Sequence, residues 1–275
     1  MNLAYAATEG AAHGGEASVG EVILHHVQDT RVIDLWPLGH ITLPQIHVFG
    51  LDFSITKHLL MMWIVSALLI VIFRRVFQQP QTVRTGVGNL LEAMVVFIRD
   101  EIVLPNLGEE GKHYLPFLLT VFFFILFCNL LGLIPYAGTA TGNVTVTAAL
   151  ALIALTMIQL GGIRAHGLVH HFQNLVPHGI PVWLLPIMIP VEIMGQLTKP
   201  FALCIRLYAN MTAGHIVIYS LLGLIFLFKS VVVAPVSVGF ALFISVLELF
   251  VAFLQAYIFT MLTSLFMGMS IHPEH

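Results

Sequence analysis

Apolar side chains fill five long stretches of the chain. The first, about 58–77, is broken only by Ser66 between residues 59 and 73 and closes with Arg74 and Arg75. The second, 115–135, contains one strongly polar side chain, Asn129, and the third, 143–163, ends at Gly161, Gly162 and Arg164. With their flanks these three reach the roughly 20 residues that an α-helix needs to cross a hydrocarbon core. The last two stretches, 181–228 and 236–270, are longer. A helix of about 35 residues runs roughly 50 Å against a core of about 30 Å, so such helices must tilt, bend or project. Pro186, Pro190 and Pro200 offer bend points in the first of them. Residues 229–235 are the turn between the two, which makes a long, steeply tilted hairpin.

A sixth segment has a different pattern. Over about 87–104, helical projection gathers Leu90, Leu91, Met94, Val95, Phe97, Ile98 and Ile102 on one side and Asn89, Glu92, Arg99 and Asp100 on the other. Val96 and Val103 fall on the polar side and Glu101 on the apolar one, against the pattern. A stripe of that width predicts a helix lying in the membrane interface. The fold class expected is therefore an all-α integral membrane protein with five transmembrane helices and one interfacial amphipathic helix. Residues 1–57 form an external N-terminal segment and 58–275 the membrane domain. The N-terminal segment reads as loop, with a small, polar stretch at 11–19 and Pro37, Gly39, Pro44 and Gly50 as punctuation. Residues 3–7 resemble a signal-peptidase site with no apolar run ahead of it.

Composition strengthens the membrane reading. Of 275 residues 58% are hydrophobic and 9% charged, where soluble proteins carry roughly 25% charged residues. The net charge of −3, with 11 Lys and Arg, argues against a nucleic-acid partner. Cys128 and Cys204 sit in separate apolar runs and suggest no disulfide framework. Arg74, Arg75, Arg84, Arg99, Lys112 and Arg164 fall on one side of the five spans; Arg31, Lys57 and Lys229 fall on the other. The positive-inside rule then places the N-terminus outside and the C-terminus in the cytoplasm.

The chemistry concentrates in the fourth span. With Glu192 as the origin, Gln196 projects at about +40°, Lys199 at about −20°, Arg206 at about −40° and Asn210 at about 0°. All five therefore share one narrow face. Ionisable groups within spans are costly and mark ion or substrate paths. His215 projects at about +140°, away from that stripe. On the last span Ser245, Glu248 and Gln255 lie within roughly 80° of one another. A slanted hairpin brings His215 opposite Glu248, an imidazole–carboxylate pair suited to relaying protons. Arg206 cannot relay, because its guanidinium stays charged. It instead supplies a fixed positive potential. At about 4 Å and an effective dielectric near 20 it attracts a carboxylate by about 4 kcal/mol before desolvation. That describes a gate holding a partner's acidic group deprotonated as it passes.

These residues carry a resemblance. The run 199–215, from Lys199 through Arg206 and Asn210 to Gly214 and His215, resembles the signature of subunit a of F-type ATP synthases. Residues 254–259, containing Gln255, resemble that family's last-helix motif, and 129–135 its second-span motif; the likeness covers roughly 50–275. It implies a bacterial-type, proton-translocating stator subunit, multi-pass in the bacterial cell (inner or plasma) membrane, which is not catalytic by itself and needs no cofactor. Implied partners are the c-subunit ring, the peripheral-stalk b subunits, other ATP synthase subunits and the lipid bilayer. Arg206 matches the family's essential arginine facing the ring carboxylate. Glu192, Asn210, His215, Glu248 and Gln255 match positions lining or neighbouring two offset half-channels. Members of that family often carry Glu where His215 stands and His where Glu248 stands, and here the two are exchanged.

The competing readings are plainer. Arg206 as a structural ion pair with Glu192 or Glu248, Glu192 pairing only with Lys199, and a static His215–Glu248 hydrogen bond would each hold the hairpin together without moving ions. Gln255 and Asn129 are candidates for interhelical hydrogen bonding. His166, His170, His171 and His178 have a His-x3-His spacing, but no cysteine or carboxylate completes a metal site, so the expectation is an interfacial loop and no metal. Met61, Met62, Met267 and Met269 read as adaptable packing. The alternative function is a stand-alone proton-coupled secondary transporter, which usually shows internal repeats, absent here. The two readings differ in one respect. A stator places Arg206 on an outer, protein-facing surface, whereas a transporter places it inside the bundle.

Overall fold

The computed structural model describes residues 32–35, 39–42, 47–48, 51–52, 56–78, 86–134, 139–168, 184–228 and 233–272. Five helices among them are long and apolar enough to cross a membrane. Helix α1 is Lys57–Phe77. Thr56 caps it, its hydroxyl accepting from the Leu59 amide at 3.5 Å, and Arg74 and Arg75 sit in its last turn, where positive charge complements the helix dipole. An amphipathic stretch follows, built from α2 (Val87–Phe97), a π-turn at Ile98–Val103 and a short α3, Leu104–Leu107. Gly108, at φ +59°, breaks it from α4, Gly111–Gly132. A 3-10 turn at Ala140–Gly142 leads to α5, Val144–His166, capped by Asn143. The long pair is α6, Leu185–Phe228, and α7, Val233–Ile271. At 44 and 39 residues they measure about 66 and 58 Å if straight. Helix α6 runs on through Pro190 and Pro200.

Residues 1–57 are not all loop. Strands β1 (Val32–Leu35) and β2 (Gly39–Thr42) pair antiparallel, as do β3 (His47–Val48) and β4 (Leu51–Asp52). Strands of two to four residues are too short for alternation to show, and turn residues between them read as loop. The small polar stretch at 11–19, the segment at 3–7, Arg31, Arg84 and Lys229 lie outside the described residues.

The core lies among α2, the π-turn, α4, α5, α6 and α7, around Leu91, Ile98, Leu118, Phe122, Ile125, Leu207 and Phe259. Small residues set how closely the helices approach: Ala241, Ala252, Ala256 and Gly268 on α7, and Ala151, Ala154, Gly161 and Gly162 on α5, are all buried. A Cβ on Gly268 would run into the carbonyl of Asn106. The π-turn corrects the amphipathic reading. Counted from Leu91 at about 100° per residue, Val103 falls at about +120°, on the polar side. A π-turn absorbs about one extra residue, turning the later residues back by roughly 100° and carrying Val103 and Leu107 into the core. Both are buried, Glu101 is exposed, and Leu90 and Phe97, expected on the apolar side, face outward. The Ile102 carbonyl accepts from the Asn106 amide at 2.8 Å and from the Ser264 hydroxyl of α7 at 3.3 Å.

Candidate functional site

The site residues sit on α6 and α7, and the neighbours of α6 decide which of them face inward. Pro200, Leu203, Cys204, Leu207 and Met211 are buried. On the projection that has Glu192 as its origin they span about +20° to about +120°. The polar stripe therefore lies on one flank of the buried face and His215 on the other. Arg206 and Asn210 are exposed on the outside of the bundle, Gln196 and Lys199 are half-buried, and the side chain of Glu192 is outside the described residues. Arg206 has no ion pair among the described residues, so neither Glu248 nor any other described carboxylate serves as its static partner.

His215 and Glu248 are brought together. Nδ1 of His215 lies 3.9 Å from Oε1 of Glu248, with the carboxylate buried on α7 and the ring half-buried. On the far side of the ring, Nε2 is 2.5 Å from Oγ1 of Thr139, in the segment between α4 and α5. The Thr139 hydroxyl in turn donates to the Gly132 carbonyl at 3.4 Å. Oε1 of Glu248 and the Thr212 hydroxyl are buried without a hydrogen-bond partner. Gly214 makes the approach of α7 feasible, since a Cβ there would overlap the Glu248 carboxylate. An imidazole and a carboxylate so placed share a proton as either an ion pair or a neutral pair, with the same net charge.

Neutral hydrogen bonds brace this corner. Asn129, fully buried, donates to the Ala252 carbonyl of α7 at 3.2 Å and accepts from the Thr141 hydroxyl at 2.6 Å. Asn129 is thus an interhelical hydrogen-bonding residue. Thr147 of α5 and Cys204 of α6 meet at 3.4 Å. Toward the start of α6, Gln159 donates to Gln196 at 3.3 Å and the Lys199 ammonium rests 4.9 Å from the Phe266 ring centroid. The pairings His215–Glu248 and Lys199–Phe266 fix the antiparallel register, which sets buried Gln255 level with the Arg206–Asn210 turn. Nε2 of His166 is 2.8 Å from the Ile271 carbonyl, while His170, His171 and His178 lie outside the described residues.

Several neighbours of these side chains escaped the sequence. Thr139, Thr141 and Thr212 are ordinary hydroxyls in or beside a loop or on an apolar helix and give no signal. Gly214 was findable, because a glycine inside an apolar helix often marks a close approach.

The profile of the family described as ATP synthase A chain matches residues 59–268. The chain is 51% identical over 259 residues to an ATP synthase subunit a of Chloroherpeton thalassium, covering 92% of this chain and 77% of that protein. It is 50% identical over 274 residues to an ATP synthase subunit a 2 of Prosthecochloris aestuarii, covering 97% and 84% respectively. With an ATP synthase subunit a of Myxococcus xanthus it shares 55% over 229 residues, 82% of this chain and 75% of that one. Matches of this extent, on a chain with five helices able to span a membrane, show that the chain belongs to the ATP synthase subunit a family.

Proposed function

We propose that the chain is the proton-translocating stator subunit of a rotary ATP synthase. It stands beside a ring of c subunits and gives protons two offset approaches to the ring carboxylates. The observation that carries this reading is the exposure of Arg206 on the outside of the bundle, with no ion-pair partner among the described residues. A fixed charge on the outer face of a membrane helix needs a partner of opposite sign from another chain. A stand-alone transporter would keep that charge inside.

The two approaches lie on either side of Arg206 along α6. His215 is about 14 Å farther along the helix and Gln196 about 15 Å before it, from the residue spacing. They also leave the helix on opposite flanks. In the orientation proposed, with the N-terminus outside and the C-terminus in the cytoplasm, His215 and Glu248 serve the outer approach, and Glu192, Gln196 and Lys199 the cytoplasmic one. Asn210 and Gln255 stand beside the gate. A proton arriving by the outer approach neutralises a ring carboxylate, which can then leave the arginine for the apolar surroundings. After rotation the proton departs by the other approach. Each proton driven by about 100 mV contributes about 2.3 kcal/mol, and Arg206 blocks the short circuit between the approaches because it cannot pass a proton on. The chain makes or breaks no other bond. The b subunits of the peripheral stalk would hold it against the torque of the ring.

The test is proton flux in inverted membrane vesicles carrying the assembled complex with Arg206→Ala or Arg206→Lys. The expected result is loss of ATP-driven pumping in both and a passive leak in the alanine variant. Pumping at wild-type rates in both would return Arg206 to a structural role.

A further inference from the structure

Building on the reading of His215 and Glu248 as a relay, we propose that Thr139 is the positioning residue for that relay, fixing which face of the imidazole meets the carboxylate. Thr139 Oγ1 has one proton, and it is directed at the Gly132 carbonyl, 3.4 Å away. Toward His215 Nε2, at 2.5 Å, the oxygen acts as acceptor whenever the ring is imidazolium, since both ring nitrogens then carry hydrogen. In the role proposed, the same bond is kept in the neutral ring and leaves Nδ1 with its lone pair, and Nδ1 is the atom facing Glu248 Oε1 at 3.9 Å. The proton exchanged by the pair is the one between Nδ1 and Oε1. Moving it breaks the O–H bond of the carboxylic acid and forms an N–H bond, giving imidazolium and carboxylate, while the Nε2 hydrogen stays with Thr139. The two atoms need to close by about 1 Å to reach hydrogen-bond range.

The surroundings hold Thr139 in place from three sides. Its own carbonyl accepts from the Gly142 amide at 2.9 Å, closing the turn. Its side chain packs on Gly132, where a Cβ would come within 2.6 Å of Cγ2. Two residues on, Thr141 is bound through Asn129 to the Ala252 carbonyl, one helical turn from Glu248 on the same helix. The hydroxyl and the carboxylate on opposite sides of the ring are thus tied to one framework. Among the described residues, buried His58 stands on α1, whose Met61, Met62 and Val65 pack with Ala140, next to Thr139. Tyr219, on α6 itself, has its ring centroid 6.4 Å from that of His215. The charged or titratable groups at the ends of α5 and α4, Arg164, His166, Lys112 and His113, are at the ends far from Thr139.

The experiment compares Thr139→Val, which keeps the shape and removes the acceptor, with Thr139→Ser, which keeps it. The initial rate of ATP-driven proton uptake by inverted vesicles bearing the whole complex is followed across starting internal pH, because the outer approach opens to the interior of such vesicles. The valine variant is expected to pump about five- to tenfold more slowly, the worth of one hydrogen bond. Its pH profile should be displaced toward acid by about half a unit or more, because the acceptor that favours the protonated ring is gone. Serine should restore both rate and profile. A valine variant matching the wild type in both, or a serine variant as impaired as valine, overturns the assignment. If valine does not assemble, Thr139→Ala, which only removes atoms, takes the same readouts. Glu248→Gln measured alongside separates the two levels. Wild-type pumping there removes the relay itself, whereas loss there with a silent valine variant removes only the role of Thr139.

Discussion

Arg206 and His215 are nine residues apart on one helix, yet their surroundings have nothing in common. His215 meets a hydroxyl at one ring nitrogen and faces a carboxylate 3.9 Å from the other, and that corner is braced by Asn129 and Thr141. Arg206 stands exposed with no ion pair among the described residues. A group that works with a partner in its own chain is enclosed by that chain and made precise by it. A group whose partner comes and goes on another chain has to be left at the surface, with its charge unanswered until the partner arrives. On the proposed function, the contrast lies in which molecule provides the second half of each interaction.

The contrast is most open to attack at Arg206. Arg206→Ala should reduce ATP-driven pumping at least a hundredfold while leaving the amount of subunit in the membrane unchanged, because few contacts within the chain depend on the side chain. Loss of the subunit, seen by immunodetection, would mean that the chain itself needs this charge. Next comes Gly214→Ala. The added methyl overlaps the Glu248 carboxylate, and overpacking of this kind costs about 1–3 kcal/mol. Thermal unfolding of the purified complex in detergent should shift downward and pumping should fall severalfold; neither changing would show that α6 and α7 part easily here.

A smaller effect is expected of Asn129→Leu. It removes the bonds from Asn129 to the Ala252 carbonyl and from the Thr141 hydroxyl to Asn129, and interhelical hydrogen bonds in membranes average about 0.6 kcal/mol each. Stability should drop by about 1 kcal/mol on that basis, and the pH profile of pumping should broaden as the loop bearing Thr139 loosens. The smallest belongs to Phe266→Leu, which removes the cation–π contact to Lys199, worth about 0.5–1 kcal/mol. A twofold change in pumping or less is expected. A tenfold loss would show that the ammonium must be held in place, and the enclosed region would then extend to the cytoplasmic approach.

Much of the membrane architecture could be read from residue order. Apolar runs of sufficient length have few alternatives to helices in a hydrocarbon core, and the costly side chains 192, 196, 199, 206 and 210 aligned under one period. The same projection could not say which side of that stripe faced inward. That depends on Leu203, Leu207 and Met211 meeting α5 and α7, and apolar residues surround a membrane helix on every side. The π-turn was illegible for another reason. A constant rotation of about 100° per residue has no place for an extra residue, so Val103 and Glu101 registered as exceptions, although they fit once the turn widens. Thr139 was invisible because a threonine beside glycines, outside any periodic segment, is what an ordinary loop contains. The ladders at 32–52 were missed because short strands and their turns share a vocabulary with loops.

The widened turn at Ile98–Val103 also bears on how the chain can change over time. A helix that lies along a bundle and contains one surplus residue has a built-in allowance for length. Loss of a single residue from that turn would let it tighten to an ordinary α-helical turn, without breaking the helix and with Val103 and Leu107 still facing the core. Loss of one codon here is therefore absorbed by the turn, with neither rotation nor rupture. The segment between α2 and α3 is where such a change would leave both the face the helix shows its neighbours and the order of the spans beyond it as they are.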